Sequence, residues 1–130
     1  MAFLLCASFL AVAQPGLPPA IEGDFDGDGV VDVAYYADEG DGPVLKASLS
    51  SLSETLTVDR SRGPNLFLDA VEPGPRVGYC SSINERDCQY GETEASASLP
   101  HVGIGTGTEE ASFEIHYWTG SRFETLYVSD

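Results

Sequence analysis

Between Ala111 and Val128 the chain alternates residue by residue on either side of a tight turn, Thr119-Gly120-Ser121. Ala111, Phe113, Ile115 and Tyr117 fall on one face, with Ser112, Glu114, His116 and Trp118 opposite. A period of two is what a strand with one buried face produces, and two such runs joined through a glycine turn make a β-hairpin. The same period recurs upstream. Val31-Asp32-Val33-Ala34-Tyr35-Tyr36 is β-branched and aromatic; Leu45, Ala47 and Leu49 share a face; Thr55–Val58 and Asn65–Ala70 repeat the alternation. Asp38–Pro43 and Arg60–Pro64 separate these runs with residues that tolerate turn geometry. No segment longer than a few residues shows a 3.6-residue period. The pattern predicts an all-β chain: one small antiparallel sheet, sandwich or partial barrel of six to eight strands.

Two regions read less clearly. Glu72 to Ser98 is punctuated by Pro73, Gly74 and Pro75 and carries little alternation, and Leu99–Val102 reads as the start of a short strand. Gly103-Ile104-Gly105-Thr106-Gly107 superficially resembles a phosphate cradle. It lacks the Lys-Ser/Thr pair that completes one, and Glu109-Glu110 follow where an anion would sit. It reads as a turn or bulge between strands.

Charge narrows the partners. The 130 residues include 21 Asp and Glu against 6 Lys and Arg, a formal net charge of -15. Such a surface repels nucleic acid and anionic lipid and attracts divalent cations. Residues 1–13 carry no charge and end in Ala11-Val12-Ala13, the apolar run and small-residue cleavage site of a secretory signal peptide. No Lys or Arg precedes the run. The run is short of the roughly 20 residues needed to span a bilayer, so no membrane insertion is expected after its removal. Residues 14–21, rich in Pro, read as a linker, and 22–130 as a single domain, secreted or periplasmic. Export into an oxidising compartment would let Cys80 and Cys88 pair, pinning a polar surface loop and stabilising the fold by roughly 2–3 kcal/mol.

The most specific chemistry lies in Asp24-Phe25-Asp26-Gly27-Asp28-Gly29-Val30-Val31-Asp32. Calcium takes six to eight oxygen ligands, and a short loop supplies them when carboxylates recur at every second residue. Asp24, Asp26 and Asp28 stand at positions one, three and five of such a loop. The carbonyl of Val30 would serve at seven and Asp32 at nine, directly or through a water. Gly29, at six, permits the sharp turn that a Cβ would obstruct. The twelfth position holds Tyr35 where an EF-hand needs a bidentate Glu, and the loop runs into a strand instead of a helix.

Gly23-Asp24-x-Asp26-Gly27-Asp28-Gly29-x-x-Asp32-Val33-Ala34 resembles the calcium loop of FG-GAP and VCBS repeats. The resemblance covers Gly23 to Tyr36 and implies that Asp24, Asp26, Asp28 and Asp32 are the side-chain ligands. Propellers built on this motif repeat it at a fixed period; here it occurs once, so a full propeller is not expected. The tail, His101-x-Gly103-Ile104 through Tyr117-Trp118-x-Gly120 to Asp130, resembles the end of small secreted bacterial proteins with one such loop, a likeness that implies no activity.

Catalytic signals are few. There is no Gly-x-Ser-x-Gly elbow and no His-Glu-x-x-His helix motif. His101 and His116 read as partly exposed scaffold residues, and Glu92/Glu94 and Glu109/Glu110 single out no carboxylate pair. Trp118 with Tyr117, Phe123 and Tyr127 reads as hairpin packing ahead of a sugar-binding platform. The expectation is a non-enzymatic, calcium-binding domain with a structural or adhesive role toward protein or glycan. The alternatives are a small secreted hydrolase using calcium or paired carboxylates, and a protease inhibitor presenting the cysteine loop with Arg86 near its apex.

Overall fold

A computed structural model describes residues 16–60, 65–82, 94–109 and 112–129. All regular structure among them is β, in antiparallel sheets that do not close into a barrel. The strands are β1 (Ile21–Gly23), β2 (Asp32–Asp38), β3 (Pro43–Ser48), β4 (Leu56–Arg60), β5 (Leu66–Val71), β6 (Gly74–Gly78), β7 (Cys80–Ser81), β8 (Ala95–Leu99), β9 (Gly103–Thr108), β10 (Phe113–Trp118) and β11 (Phe123–Ser129). They exceed the expected six to eight because β1 and β7, at three and two residues, are too short to show any period, and β6, β8 and β9 lie in stretches whose small residues carry little alternation.

Three sheets result, ordered β1-β2-β3-β4, β5-β9-β10-β11-β7 and β6-β8. The five-stranded sheet lies in the middle, and the alternation of β10 explains why. Ile115 and Tyr117 face the two-stranded sheet, where they bury with Leu99 and Leu126 against Ala95 and Ala97. From the other face, Leu68 and Ile104 meet Phe25, Ala34, Tyr36, Leu45, Ala47 and Leu49 of the four-stranded sheet and its loops. Burying both faces of one sheet gives a small domain more core than a single-sided sheet allows.

Gly103–Gly107, read from sequence as a turn, forms most of β9, which pairs with both β5 and β10. Its alternate glycines are a packing device. A Cβ on Gly103 would lie 2.8 Å from Leu99 Cδ2, and one on Gly105 would lie 2.9 Å from Val71 Cγ2. The side chains of neighbouring strands occupy the space that β9 leaves empty. Likewise the stretch from Glu72 to Ser98 holds β6, β7 and β8. Their small residues (Ala95, Ala97) cover a neighbouring sheet closely but contribute little hydrophobic contrast to the sequence. At the N-terminal side, Ile21 already pairs with Ala34, and Leu17 packs against the larger core.

The C-terminal hairpin is as expected: Ile115 pairs with Leu126, Trp118 with Phe123, and the Thr119 amide donates to the Arg122 carbonyl across the turn.

Candidate metal centre

The aspartate loop connects β1 to β2, and its anchor is the residue between its first two aspartates. Phe25 is fully buried among Ala34, Leu45 and Ile104, with its ring folded over Gly23. The aspartates on either side of it are held at the surface. Gly27 and Gly29 take φ of 77° and 86°, left-handed values that an L side chain adopts only with strain. Gly27 is constrained twice over, since a Cβ there would fall 2.1 Å from Cε1 of His101, whose ring lies against the loop.

Within the loop, each carboxylate orders the backbone that follows it. Asp24 Oδ1 accepts from the amides of Gly27 (2.9 Å) and Asp28 (3.1 Å), and its Oδ2 accepts from Gly29 (2.8 Å). Asp28 Oδ1 accepts from the Val30 amide at 2.9 Å. Asp32 plays a different part. It is 1% exposed; its Oδ2 accepts from the Phe25 amide at 2.8 Å, and its Oδ1 from the Ser50 amide at 2.7 Å. One carboxylate thus ties the start of the loop to the β3–β4 connection.

The aspartates expected from the sequence converge: one carboxylate oxygen from each of Asp24, Asp26, Asp28 and Asp32 lies within 4.8 Å of the others. Four anions at this spacing repel one another, which a divalent cation would relieve. Val30 lies on the same loop with its side chain largely exposed. Two residues missed by sequence reading join them. The Ser50 hydroxyl donates to Asp28 Oδ2 at 2.9 Å and the Ser51 hydroxyl to Asp26 Oδ2 at 2.6 Å. Nothing in a Leu-Ser-Ser-Leu stretch signals this; the β2–β3 pairing brings it there.

A scan against protein-family models finds no match, and searches of curated proteins and solved structures find none either.

Other expected features fall as follows. Cys80 is buried at the start of β7, while Cys88 and Arg86 lie outside the described residues. The base of that loop is tied to β11: Ser82 donates from its amide to the Thr125 carbonyl and from its hydroxyl to Glu124. The Ser82 hydroxyl and the Arg122 guanidinium hold the Glu124 carboxyl below its ordinary range, against the opposing effect of burial. Glu92 and Glu110 also lie outside the described residues. The aromatic residues do not form one platform. Trp118 meets Phe123 edge-on at 5.2 Å on the larger core, Tyr117 belongs to the smaller core, and Tyr127 packs near Tyr79.

His116 is not partly exposed, as its sequence context suggests, but completely buried between sheets. Its Nε2 lies 2.9 Å from Thr106 Oγ1 and its Nδ1 lies 2.8 Å from Thr125 Oγ1. Burial lowers its pKa to about 4, against a smaller upward pull from Asp59. Nearby, burial pushes the Tyr36 phenol up to about 12, and Tyr36 shares a hydrogen bond with Thr106.

Proposed function

We propose that this chain is an exported calcium-binding β domain with a structural or adhesive role, engaging protein or glycan and performing no catalysis. The observation that carries the reading is the convergence of Asp24, Asp26, Asp28 and Asp32 on a loop rooted in the core through Phe25. The donor set is all oxygen, which suits a hard cation. The loop's likeness to the FG-GAP type gives its four aspartates the role of side-chain ligands, with the Val30 carbonyl as a fifth donor. In this reading calcium does mechanical work: it neutralises the loop, fixes the entry to β2 and holds the β3–β4 connection beside it. A surface presented by those two loops would become rigid only when the ion is bound.

Thermal unfolding with and without the ion tests this. At a hundredfold excess over its dissociation constant, calcium adds about 2.7 kcal/mol. For a domain of this size that raises Tm by roughly 10 °C or more. EDTA should remove the increment, calcium should restore it, and magnesium should restore it poorly because it demands a tighter octahedral shell. A melting curve indifferent to both EDTA and calcium sinks the proposal.

A further inference from the structure

A second cluster, sharing no residue with the aspartate loop, lies between the four-stranded and five-stranded sheets. His116 Nε2 is 3.8 Å from Asp59 Oδ2 and 3.9 Å from Glu114 Oε1, and the three donor atoms lie within 4.8 Å of one another. These separations are too long for hydrogen bonds. The two histidine separations lie within about half an ångström of the ~3.4 Å between tetrahedral ligands at ~2.1 Å, and the two carboxylate oxygens, within 4.8 Å of each other, have rotatable side chains with which to close further.

The backbone has been bent to make this convergence. By alternation from Leu56 and Val58, Asp59 should point away from the core. A bulge in β4 shifts the register, so that Ala47 pairs with Leu56 and Lys46 with Thr57, but Leu45 pairs with Asp59. That turns Asp59 onto the same face as buried Leu45. A second register shift lies between Phe113 and Glu114 in the pairing of β10 with β11. Bulges re-aim side chains and gather beside functional sites. The first re-aims Asp59; in the second the extra residue is Val128 on β11, and Glu114 shares the face of His116 by ordinary alternation.

Both ring nitrogens already bond threonine hydroxyls, and the two carboxylates face Nε2 at separations that no direct hydrogen bond to the ring explains. We propose that Asp59, Glu114 and His116 form a second metal site, for a divalent first-row transition ion such as Zn2+, that staples the two sheets together. An imidazole nitrogen with two carboxylates suits Zn2+, Ni2+ or Cu2+ and is a poor set for calcium. In the bound state the proton sits on Nδ1 and is donated to Thr125 Oγ1, fixing the ring with Nε2 toward the ion. The Thr106 hydroxyl turns from Nε2 and keeps its contact with Tyr36. Side-chain exposure rises from 0% at His116 through 27% at Glu114 to 46% at Asp59. The ion thus enters, and keeps an open coordination position, on the Asp59 side.

The test is competition of Zn2+ against a chromophoric chelator, in excess calcium so that the aspartate loop is filled. The expected result is one Zn2+ per chain, with Co2+ giving the intense visible bands of a four- or five-coordinate ion. Affinity should fall by about 10- to 100-fold in Thr125→Val and by more in Asp59→Asn and Glu114→Gln. Asp28→Asn should leave zinc affinity unchanged. His116→Gln is a risk to folding, whereas Asp59 and Glu114 are partly exposed and the isosteric variants keep the bulges. No zinc binding by the folded protein overturns the proposal. So does zinc binding that survives both carboxylate variants, or that disappears in Asp28→Asn, which would place the ion in the aspartate loop.

Discussion

Replacing Asp32 by Ala separates the two parts that this residue plays. Its carboxylate takes the Phe25 amide at 2.8 Å and the Ser50 amide at 2.7 Å, with the Asp26 amide a long third at 3.4 Å. Phe25 is fully buried, so its orphaned N–H finds no water and costs about 1–3 kcal/mol. Ser50 is exposed and its amide can rehydrate, so losing that bond to a charged acceptor costs about 1–2 kcal/mol. Removing one of four clustered anions returns some of this. The balance is about 2–4 kcal/mol in EDTA, or a Tm lower by roughly 10–20 °C, with no metal involved. Asp28→Ala gives the contrast. Asp28 is exposed, and its carboxylate accepts from the Val30 amide and the Ser50 hydroxyl at 2.9 Å each. In EDTA that variant should melt close to the parent, because lost hydrogen bonds and relieved repulsion oppose each other. In calcium it should forfeit the ion's whole increment. Differential scanning calorimetry of both variants, each in EDTA and in calcium, reads all four numbers. An Asp32→Ala protein that melts within about 3 °C of the parent in EDTA refutes the clasp.

Three further outcomes are expected. In EDTA, with no metal on its ring, the folded pKa of His116, about 4, lies below the unfolded 6.5, so the unfolded chain binds the extra proton between those values. Stability from this group is intact above pH 6.5 and is lost as pH falls toward 4, by roughly 3 kcal/mol in total. Urea unfolding across that window measures it, and an imidazole NMR titration of His116 centred near 6.5 would contradict it. Gly107→Ala forces a Cβ to 2.1 Å from the Ser112 carbonyl at a φ of 154°, so β9 and the start of β10 must separate. A loss of about 2 kcal/mol or more is expected in chemical denaturation, and a neutral result would show that the β9–β10 junction is loose. Phe25→Ala empties a fully buried site and should cost about 3–5 kcal/mol. If the folded fraction binds calcium as tightly as the parent, the ring anchors only the core and not the loop.

The elements most legible in the sequence are those whose information is local. Alternation from Phe113 to Tyr117 with a glycine turn behind it specifies the β10–β11 hairpin, because side chains two apart on a strand must share a face. Asp24 to Asp32 is legible for the same reason: a carboxylate at every second residue and a glycine at each left-handed position describe one short turn of chain. What local pattern leaves open is anything settled by a distant partner. Gly103, Gly105 and Gly107 look like a turn because glycine carries no signal of burial. They form a central strand because Leu99, Val71 and Phe67 fill the space above them.

The two candidate sites divide along that line. The aspartate loop was determined by the sequence itself, down to its four carboxylates, since nine consecutive residues hold all of them. Only the tertiary structure added Ser50, Ser51 and His101 to its border and made Asp32 a buried clasp. Of the second cluster, the shared face of Glu114 and His116 is legible in the alternation, but the meeting with Asp59 was decided wholly by the fold. The three lie on β4 and β10, in different sheets, and Asp59 reaches the others only through a bulge that reverses the face its position predicts. Register is a property of paired strands, so a one-residue slip that redirects a carboxylate leaves no trace in either strand read alone.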